Sequence, residues 1–396
     1  MNQATLDFIR EHAEADIRQL ALRKLKNPEV DLMYALEQIA GRQKARIKIP
    51  SWAVKDGMIY PPHLSMEQCS SEQTAKYKAS IAGKGELFVD LTAGFGVDTA
   101  FIAEGFQRVV SVERQERLCQ IAAQNHKQLG LSQIEVVCGD GIAYLHQMGH
   151  ADLLFMDPAR RDAYGGRTYD ISDCEPNVLE LIGEMTQKAD RVMLKLSPML
   201  DWRKAVEDLQ SIGGHQVFVD EVHILSVANE CKELLLIVSK EEKPLHVYCV
   251  NNDDVFDYLA GQLRQPLICS RIALPCFLYE PNASLMKAGC FGEISERYQL
   301  SQLDDNSHLF VADREIADFP GRCFVVEQMT SMNKRELKQA LAGIAKANIA
   351  VRNFPLSVAD LRKRLNIKDG GDVFIFATTL SNQGHQLLIC RKKTQC

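Results

Sequence analysis

No stretch of this 396-residue chain approaches the roughly 20 consecutive apolar residues that a membrane span requires, and the run Leu234-Leu235-Leu236-Ile237-Val238 is only the size of a buried strand. The opening residues, Met1 to Asp7, hold no basic stretch followed by an apolar core, so no secretory signal and no membrane partner are expected. Cysteine is sparse, 12 residues in all, and none stands in a CxxC pair. That spacing argues against a disulfide framework and a zinc site. The expectation is free thiols in a reducing compartment, no metal, and a cytoplasmic protein. Repeats and low-complexity tracts are also lacking, and disorder is not expected.

What is present is ordinary for a globular protein: 46% apolar and 25% charged residues, with a net charge of -6. At about 150 residues per domain the length suggests two or three domains. The mild acidity argues against a chain coated in nucleic acid, but it hides an asymmetry. Residues 321–396 carry 13 Lys+Arg against 5 Asp+Glu, while residues 1–320 carry 33 against 47. The tail is a basic module.

Apolar residues at helical spacing predict helices over residues 3–42, broken at Asn27-Pro28-Glu29 and stopped by Gly41, then an irregular stretch from Ile47 to Pro62 and a capped helix from Ser70 to Tyr77. From Leu87 on, β-rich runs alternate with helical ones. Seven strands are expected: Leu87–Leu91, Arg108–Val112, Ile134–Val137, Asp152–Met156, Arg191–Leu196, Gln216–Val219 and Leu234–Val238. Such alternation predicts an α/β domain with a largely parallel sheet covered on both faces, closed by an antiparallel pair where the last connection is short. Glu241-Glu242-Lys243-Pro244 marks a boundary. Beyond it a small α+β unit runs to about Arg322, and a basic unit follows with helices over Lys334–Ala347 and Val358–Leu365 among strands. The expected division is 1–80 helical, 81–243 α/β, 244–322 connector and α+β unit, and 323–396 basic unit.

Ligands of an open parallel sheet bind at the C-terminal ends of its strands, and polar residues collect at the first four of those ends. After the first strand stands Asp90-Leu91-Thr92-Ala93-Gly94-Phe95-Gly96, a turn whose glycines let backbone approach a ligand ahead of a helix N-terminus. Glu113, beside Arg114, closes the second strand 17 positions past Gly96, where an acid can accept the hydroxyls of a ribose. Gly139-Asp140-Gly141 follows the third and suits an adenine amino group. Asp157-Pro158-Ala159-Arg160-Arg161 ends the fourth with a carboxylate and a residue of fixed φ. Each element alone could be a structural turn or a surface charge; four in register point to a nucleoside-containing cofactor. A nicotinamide oxidoreductase is the nearest rival, but Thr99 stands where its third glycine belongs, and Asp140 and Asp157-Pro158 have no role in it.

The series resembles the class I S-adenosylmethionine-dependent methyltransferases. The resemblance implies a Rossmann-like seven-stranded methyltransferase sheet and S-adenosyl-L-methionine as cofactor. Asp90, Thr92, Ala93, Gly94 and Gly96 would hold its methionine end, Glu113 and Arg114 its ribose side, and Asp140 and Gly141 its adenine, with Asp157 at the methyl group. The whole chain, with Tyr279-Glu280-Pro281-Asn282 and its basic tail, further resembles bacterial methyltransferases that carry a ferredoxin-like insert and a THUMP-like domain.

Asp157, Pro158 and Arg160 are the expected catalytic residues. A carboxylate and a rigid carbonyl that accept the hydrogens of an exocyclic amine make it nucleophilic, and the methyl donor needs that nucleophile in line. Amine-methylating nucleic-acid enzymes usually place an aromatic residue after the proline pair; here Ala159 and Arg160 stand there, and a guanidinium plane can also stack on a base. Leu196-Ser197-Pro198 has serine where the uracil enzymes carry cysteine, so nitrogen is favoured over carbon. Arg160, Arg161 and Arg167, with Lys195 and Ser197 at the end of the fifth strand, are candidate substrate contacts. The basic tail, with Arg362-Lys363-Arg364 and Arg391-Lys392-Lys393 as its clusters, and the THUMP-like resemblance together favour structured RNA, tRNA or rRNA, as substrate, with guanine as one candidate base. The alternatives are methylation of a small molecule or protein, and a cofactor-binding RNA module without turnover.

Overall fold

The computed structural model describes residues 2–23, 27–160, 170–212, 216–261 and 264–393. It falls into two units, Met1–Val222 with Glu233–Pro244, and His223–Lys232 with Leu245–Cys396.

The first unit opens with helices α1 (Gln3–Glu11), α2 (Ile17–Ala21), α3 (Leu32–Lys48), α4 (Pro50–Ala53), α5 (His63–Gln68) and α6 (Glu72–Ala82). Asn2, Asp16, Asp31 and Ser71 start four of them, each side chain accepting a hydrogen bond from a backbone N–H of the first turn. The expected stop at Gly41 does not occur. Helix α3 runs through it to Lys48, because Gly41 serves close packing: a Cβ there would stand 2.2 Å from Cβ of Tyr60. Likewise the stretch expected to be irregular contains α4, with Pro50 at its first turn.

From Gly85 the chain alternates: β1 (Gly85–Asp90), α7 (Val97–Ile102), β2 (Phe106–Glu113), α8 (Glu116–Leu129), β3 (Ile134–Cys138), α9 (Gly141–Gln147), β4 (Ala151–Met156), a short ribbon of β5 (Ala159–Arg160) and β6 (Cys174–Glu175), α10 (Val178–Lys188), β7 (Ala189–Leu196), α11 (Trp202–Ile212), β8 (Phe218–Val227) and β9 (Glu230–Ser239). All seven expected strands form. Their spatial order is β3-β2-β1-β4-β7-β9-β8. The first five are parallel, since each is reached through a crossover helix, and β9 runs antiparallel to β7. That reversal has a local cause: Ala228 and Asn229, at φ 52° and 62°, close the tight hairpin between β8 and β9. Phe88, Val89, Leu154, Phe155, Val192 and Leu236 fill the strand interiors and are buried, each worth about 1.5–3 kcal/mol.

A core of Ile49, Trp52, Tyr60, Met66, Phe95, Val97, Leu118 and Ile121 joins the N-terminal helices to α7 and α8. Trp52 meets Phe95 edge-on at 6.0 Å. Asn125 adds a polar clamp, accepting from the Ile59 N–H and donating to its carbonyl, both at 2.8 Å. The helical segment is therefore fixed beside the glycine turn that Phe95 belongs to.

The second unit holds the antiparallel pair β10 (His246–Asn251) and β11 (Asp254–Leu259), then β12 (Leu267–Ile268), β13 (Cys276–Pro281), α12 (Ala283–Ala288), α13 (Phe291–Tyr298), β14 (Ser301–Gln302), β15 (Phe310–Ala312), β16 (Gly321–Ser331), α14 (Lys334–Ala340), β17 (Asn348–Arg352), α15 (Val358–Leu365), β18 (Val373–Leu380) and β19 (Gly384–Lys392). Strands β12 to β19 form one sheet in the order β12-β14-β15-β13-β16-β19-β18-β17. Helix α14 ends at Ala340 rather than Ala347, ahead of Gly343 at φ +82°. Leu337 of α14 and Leu361 and Leu365 of α15 share one core with Ile375, Ala377 and Leu387, so both helices cover the same sheet face. Glu280 is buried between Arg322 and Arg352, a structural pairing that accounts for its place in the Tyr279–Asn282 run.

Among the described residues no helix is long and apolar enough to cross a membrane. Nor does any group of three or more His, Cys, Asp or Glu form a metal-binding cluster among them. Their eleven cysteines are free thiols, mostly buried, with Cys138 exposed.

Candidate active site

The parallel register brings the C-terminal ends of β1, β2, β3 and β4 to one edge, where the chain must turn into α7, α8, α9 and the β5–β6 ribbon. A cavity of about 310 Å³ opens there. Its lining gathers ten of the expected residues: Asp90, Thr92, Ala93, Gly94, Glu113, Arg114, Asp140, Gly141, Asp157 and Lys195. Gly96, Pro158 and Ser197 are not part of that lining. Gly96 is the left-handed cap of α7, at φ +83°, packed where a Cβ would sit 2.4 Å from His126 Nε2. Ser197 spends its hydroxyl accepting from the Met199 N–H at 3.2 Å. The Arg160 side chain, Arg161 and Arg167 lie outside the described residues.

The glycine turn is held from two sides. Asp90 accepts from Thr99 Oγ1 at 2.6 Å and from the Thr92 N–H at 3.0 Å. Glu113 accepts from the Gly94 N–H through Oε2 at 3.0 Å and from the Gln115 N–H through Oε1 at 2.8 Å. Gly94 has φ +58° and open space where a side chain would begin, so its backbone faces the cavity. Asp140 caps α9 by accepting from the Ala143 N–H through Oδ1 at 2.9 Å. Its Oδ2 has no partner among the described residues.

Asp157 is fixed by its neighbours. Its N–H donates to Thr92 Oγ1 at 2.7 Å, and its Oδ2 accepts from Lys195 Nζ at 2.5 Å. Burial acts to lower the Lys195 ammonium, but the carboxylates of Asp157, Asp98 and Glu233 outweigh it and hold the lysine above its ordinary value. Lys195, a candidate substrate contact, lines the cavity and shares its charge among Asp157 and, at 3.7 and 3.9 Å, Asp98 and Glu233.

Sequence reasoning missed part of the lining. Ser65, Gln68, Cys69 and Ser70, from α5 and the loop before α6, form one wall, and Glu175 with Pro176 forms another. Neither group follows a parallel strand, so no rule about strand ends points to them. The preference of Ser71 for a helix cap was the only local signal near Ser70.

Burial pushes the Asp90 carboxyl up to about 7, against the hydrogen bonds from Thr99 and Thr92 and with the charges of Asp98 and Asp157 adding to it. An unfolded aspartate titrates near 3.9. A raised folded value stabilises the protein at low pH, and that contribution is lost as pH rises through about 7. Asp90→Asn removes the titration while keeping the shape. Its melting temperature relative to wild type should therefore be more favourable at pH 8 than at pH 5; an identical difference at both pH values would refute the assignment.

Three family models match the chain: protein-L-isoaspartate(D-aspartate) O-methyltransferase over residues 79–159, a ferredoxin-like domain over 277–320, and a THUMP-like domain over 321–392. Among solved structures, a candidate methyltransferase of Porphyromonas gingivalis W83 is similar over 99% of this chain and 98% of its own, at 30% identity and a TM-score of 0.86. A candidate methyltransferase of Streptococcus mutans, solved with S-adenosylhomocysteine, is 12% identical, covering 43% of this chain and 97% of its own at a TM-score of 0.32. A candidate RNA methyltransferase of Pyrococcus horikoshii is 16% identical, covering 49% and 97% at a TM-score of 0.37. No curated protein matches the chain.

Proposed function

This chain belongs to the class I S-adenosylmethionine-dependent methyltransferases that carry a ferredoxin-like and a THUMP-like domain, and from that premise we propose that it N-methylates a base of structured RNA, tRNA or rRNA. The observation that carries the reading is the single cavity uniting Gly94, Glu113, Asp140 and Asp157. Its residues fit the cofactor. Gly94 leaves room for close backbone approach. Glu113 is pinned by two N–H groups and keeps a lone pair on each oxygen for ribose hydroxyls, and Asp140 keeps Oδ2 for an adenine amine.

The bound donor supplies a methyl group made electrophilic by its sulfonium. The chain's own residues then have to present a nucleophile and take one proton. Asp157 lines the cavity with Oδ2 bonded to Lys195 and its backbone tied to Thr92; in this reading its other oxygen, Oδ1, accepts an N–H of the acceptor amine, keeps the nitrogen lone pair in line and receives the proton on transfer. Pro158 fixes its own φ directly after Asp157.

RNA as the substrate class is supported by charge. Of the cations in the basic unit, Arg352, Arg362, Arg391 and Lys393 are paired with acids. Lys334, Arg335 and Lys338 on α14, Lys346 and Lys368, which adjoin in a β-bridge, and Lys363 and Arg364 on α15 have no acidic partner among the described residues. Helices α14 and α15 share a sheet face, so these charges form one field able to follow a phosphate backbone.

Two outcomes are expected. Methyl groups from labelled S-adenosylmethionine should appear in total RNA from cells lacking the gene, in one modified nucleoside that mass spectrometry finds missing from those cells. Lys363→Gln with Arg364→Gln should weaken RNA binding and lower the slope of log K against log salt by about 1–2, with cofactor affinity unchanged. An unaltered salt slope would remove the RNA surface from the proposal.

A further inference from the structure

Asp98 and Lys195 of the cavity lining belong to a set of charged side chains that extends to Lys78 and Glu233, neither of them at the C-terminal end of a strand. Lys78 of α6 is fully buried, with no exposed surface, and its ammonium contacts Glu233 of β9 at 2.7 Å, Asp98 of α7 at 3.1 Å and Ser70 Oγ at 3.0 Å. Ser70, itself part of the cavity wall, donates to the other oxygen of Asp98 at 2.7 Å. Asp98 and Glu233 are in turn the acids that flank Lys195, whose shortest contact is with Asp157. The path Lys78, then Asp98 and Glu233, then Lys195, then Asp157 crosses four elements and ends on the one carboxylate assigned to the reaction.

Burying a lysine this completely is costly unless its charge is matched. A merely structural contact between α6 and the sheet would be served by a methionine. The network holds two ammonium groups against the carboxylates of Asp98, Glu233 and Asp157. Neutralising any member therefore changes how strongly Lys195 is drawn to Asp157 rather than to the two acids behind it.

We propose that Lys78 is a positioning residue for methyl transfer, acting through Asp98, Glu233 and Lys195 to orient Asp157 and hold it ionised. The proposal rests on Asp157 being the acceptor-facing carboxylate. Facing Asp157 from the surrounding elements are Lys195 of β7, Asp98 of α7, Lys78 of α6, Glu233 of β9, Asp90 of β1 and Glu175 of β6. Of these, Lys195 and Lys78 favour its ionised form, while burial and Asp98 oppose it. The signs of the variants are thus fixed beforehand. Lys78→Met should raise the titration midpoint of Asp157, and Asp98→Asn and Glu233→Gln should lower it, each by about half a pH unit or more.

The midpoint can be read by carbon-13 NMR in full-length protein labelled at the aspartate carboxyls, with the Asp157 signal assigned by its absence from Asp157→Asn. If Lys78→Met alone melts too low to be read, Asp98→Asn and Glu233→Gln carry the test, since each must still lower the Asp157 midpoint. Shifts of opposite sign for the lysine and the acids carry the proposal. Lower melting temperatures with an unmoved Asp157 midpoint overturn it and leave a structural network. Calorimetry with S-adenosylmethionine separates the two levels: a wild-type protein that fails to bind it sinks the cofactor reading, while the NMR result still decides whether the network reaches Asp157.

Discussion

Asp157→Ala is expected to lower methyl transfer to the proposed RNA substrate by about 10²–10⁴-fold, the range associated with a positioned proton acceptor, while calorimetric affinity for S-adenosylmethionine stays within a few-fold of wild type. The separation follows from geometry. Glu113, Asp140 and the Gly94 backbone form the cofactor contacts proposed above, and none of them leans on the Asp157 carboxylate. Nor should the fold be lost, because Lys195 keeps Asp98 and Glu233 at 3.7 and 3.9 Å after Asp157 is removed. Asp157→Asn sharpens the test, since it preserves the shape and one acceptor oxygen but cannot take the proton. A variant that loses cofactor binding and turnover together would assign Asp157 to the cofactor alone.

Gly141→Ala is the second large effect. A Cβ at position 141 would lie 2.1 Å from the Leu91 carbonyl oxygen and 3.1 Å from its carbon. Leu91 cannot retreat, because its N–H is bonded to the Phe155 carbonyl at 3.0 Å where β1 meets β4. The strain has to be taken up by displacing the start of α9, and with it the Asp140 cap, at a cost of about 3 kcal/mol or more. Chemical denaturation should register that loss, and the surviving folded protein should bind S-adenosylmethionine more weakly. Gly139→Ala is the matched control: nothing lies within 4 Å of its Cβ position, so its stability should change little. Equal stability of the two variants would show that α9 can shift without harm.

The strand ends were readable one by one because each depends on a few consecutive residues. An apolar run that stops at a carboxylate and a glycine or proline is visible without knowing what lies beside it, and Asp90, Glu113, Asp140 and Asp157 were found in that way. Gly41 shows the limit of such reading. In the sequence it has the form of a helix stop, yet α3 runs on, since the residue is selected by the Tyr60 side chain packed against it. Lys195 shows another: its position at the mouth was foreseen, but its partners come from α7 and β9. Lys78 and Glu233 stand 155 residues apart, and no local spacing can relate them.

Periodicity, turn residues and the order of strand-end acids therefore determined, from the chain alone, an α/β sheet and the residues along one edge of it. Tertiary structure decided which of those residues share a cavity, that the N-terminal helices wall it through Ser65 to Ser70, and that a buried lysine stands behind Asp157. The physical reason is range. Hydrophobic alternation and backbone propensity act over a few residues, whereas the pairing of buried charges depends on which helices and strands the packed core brings within about 4 Å of one another.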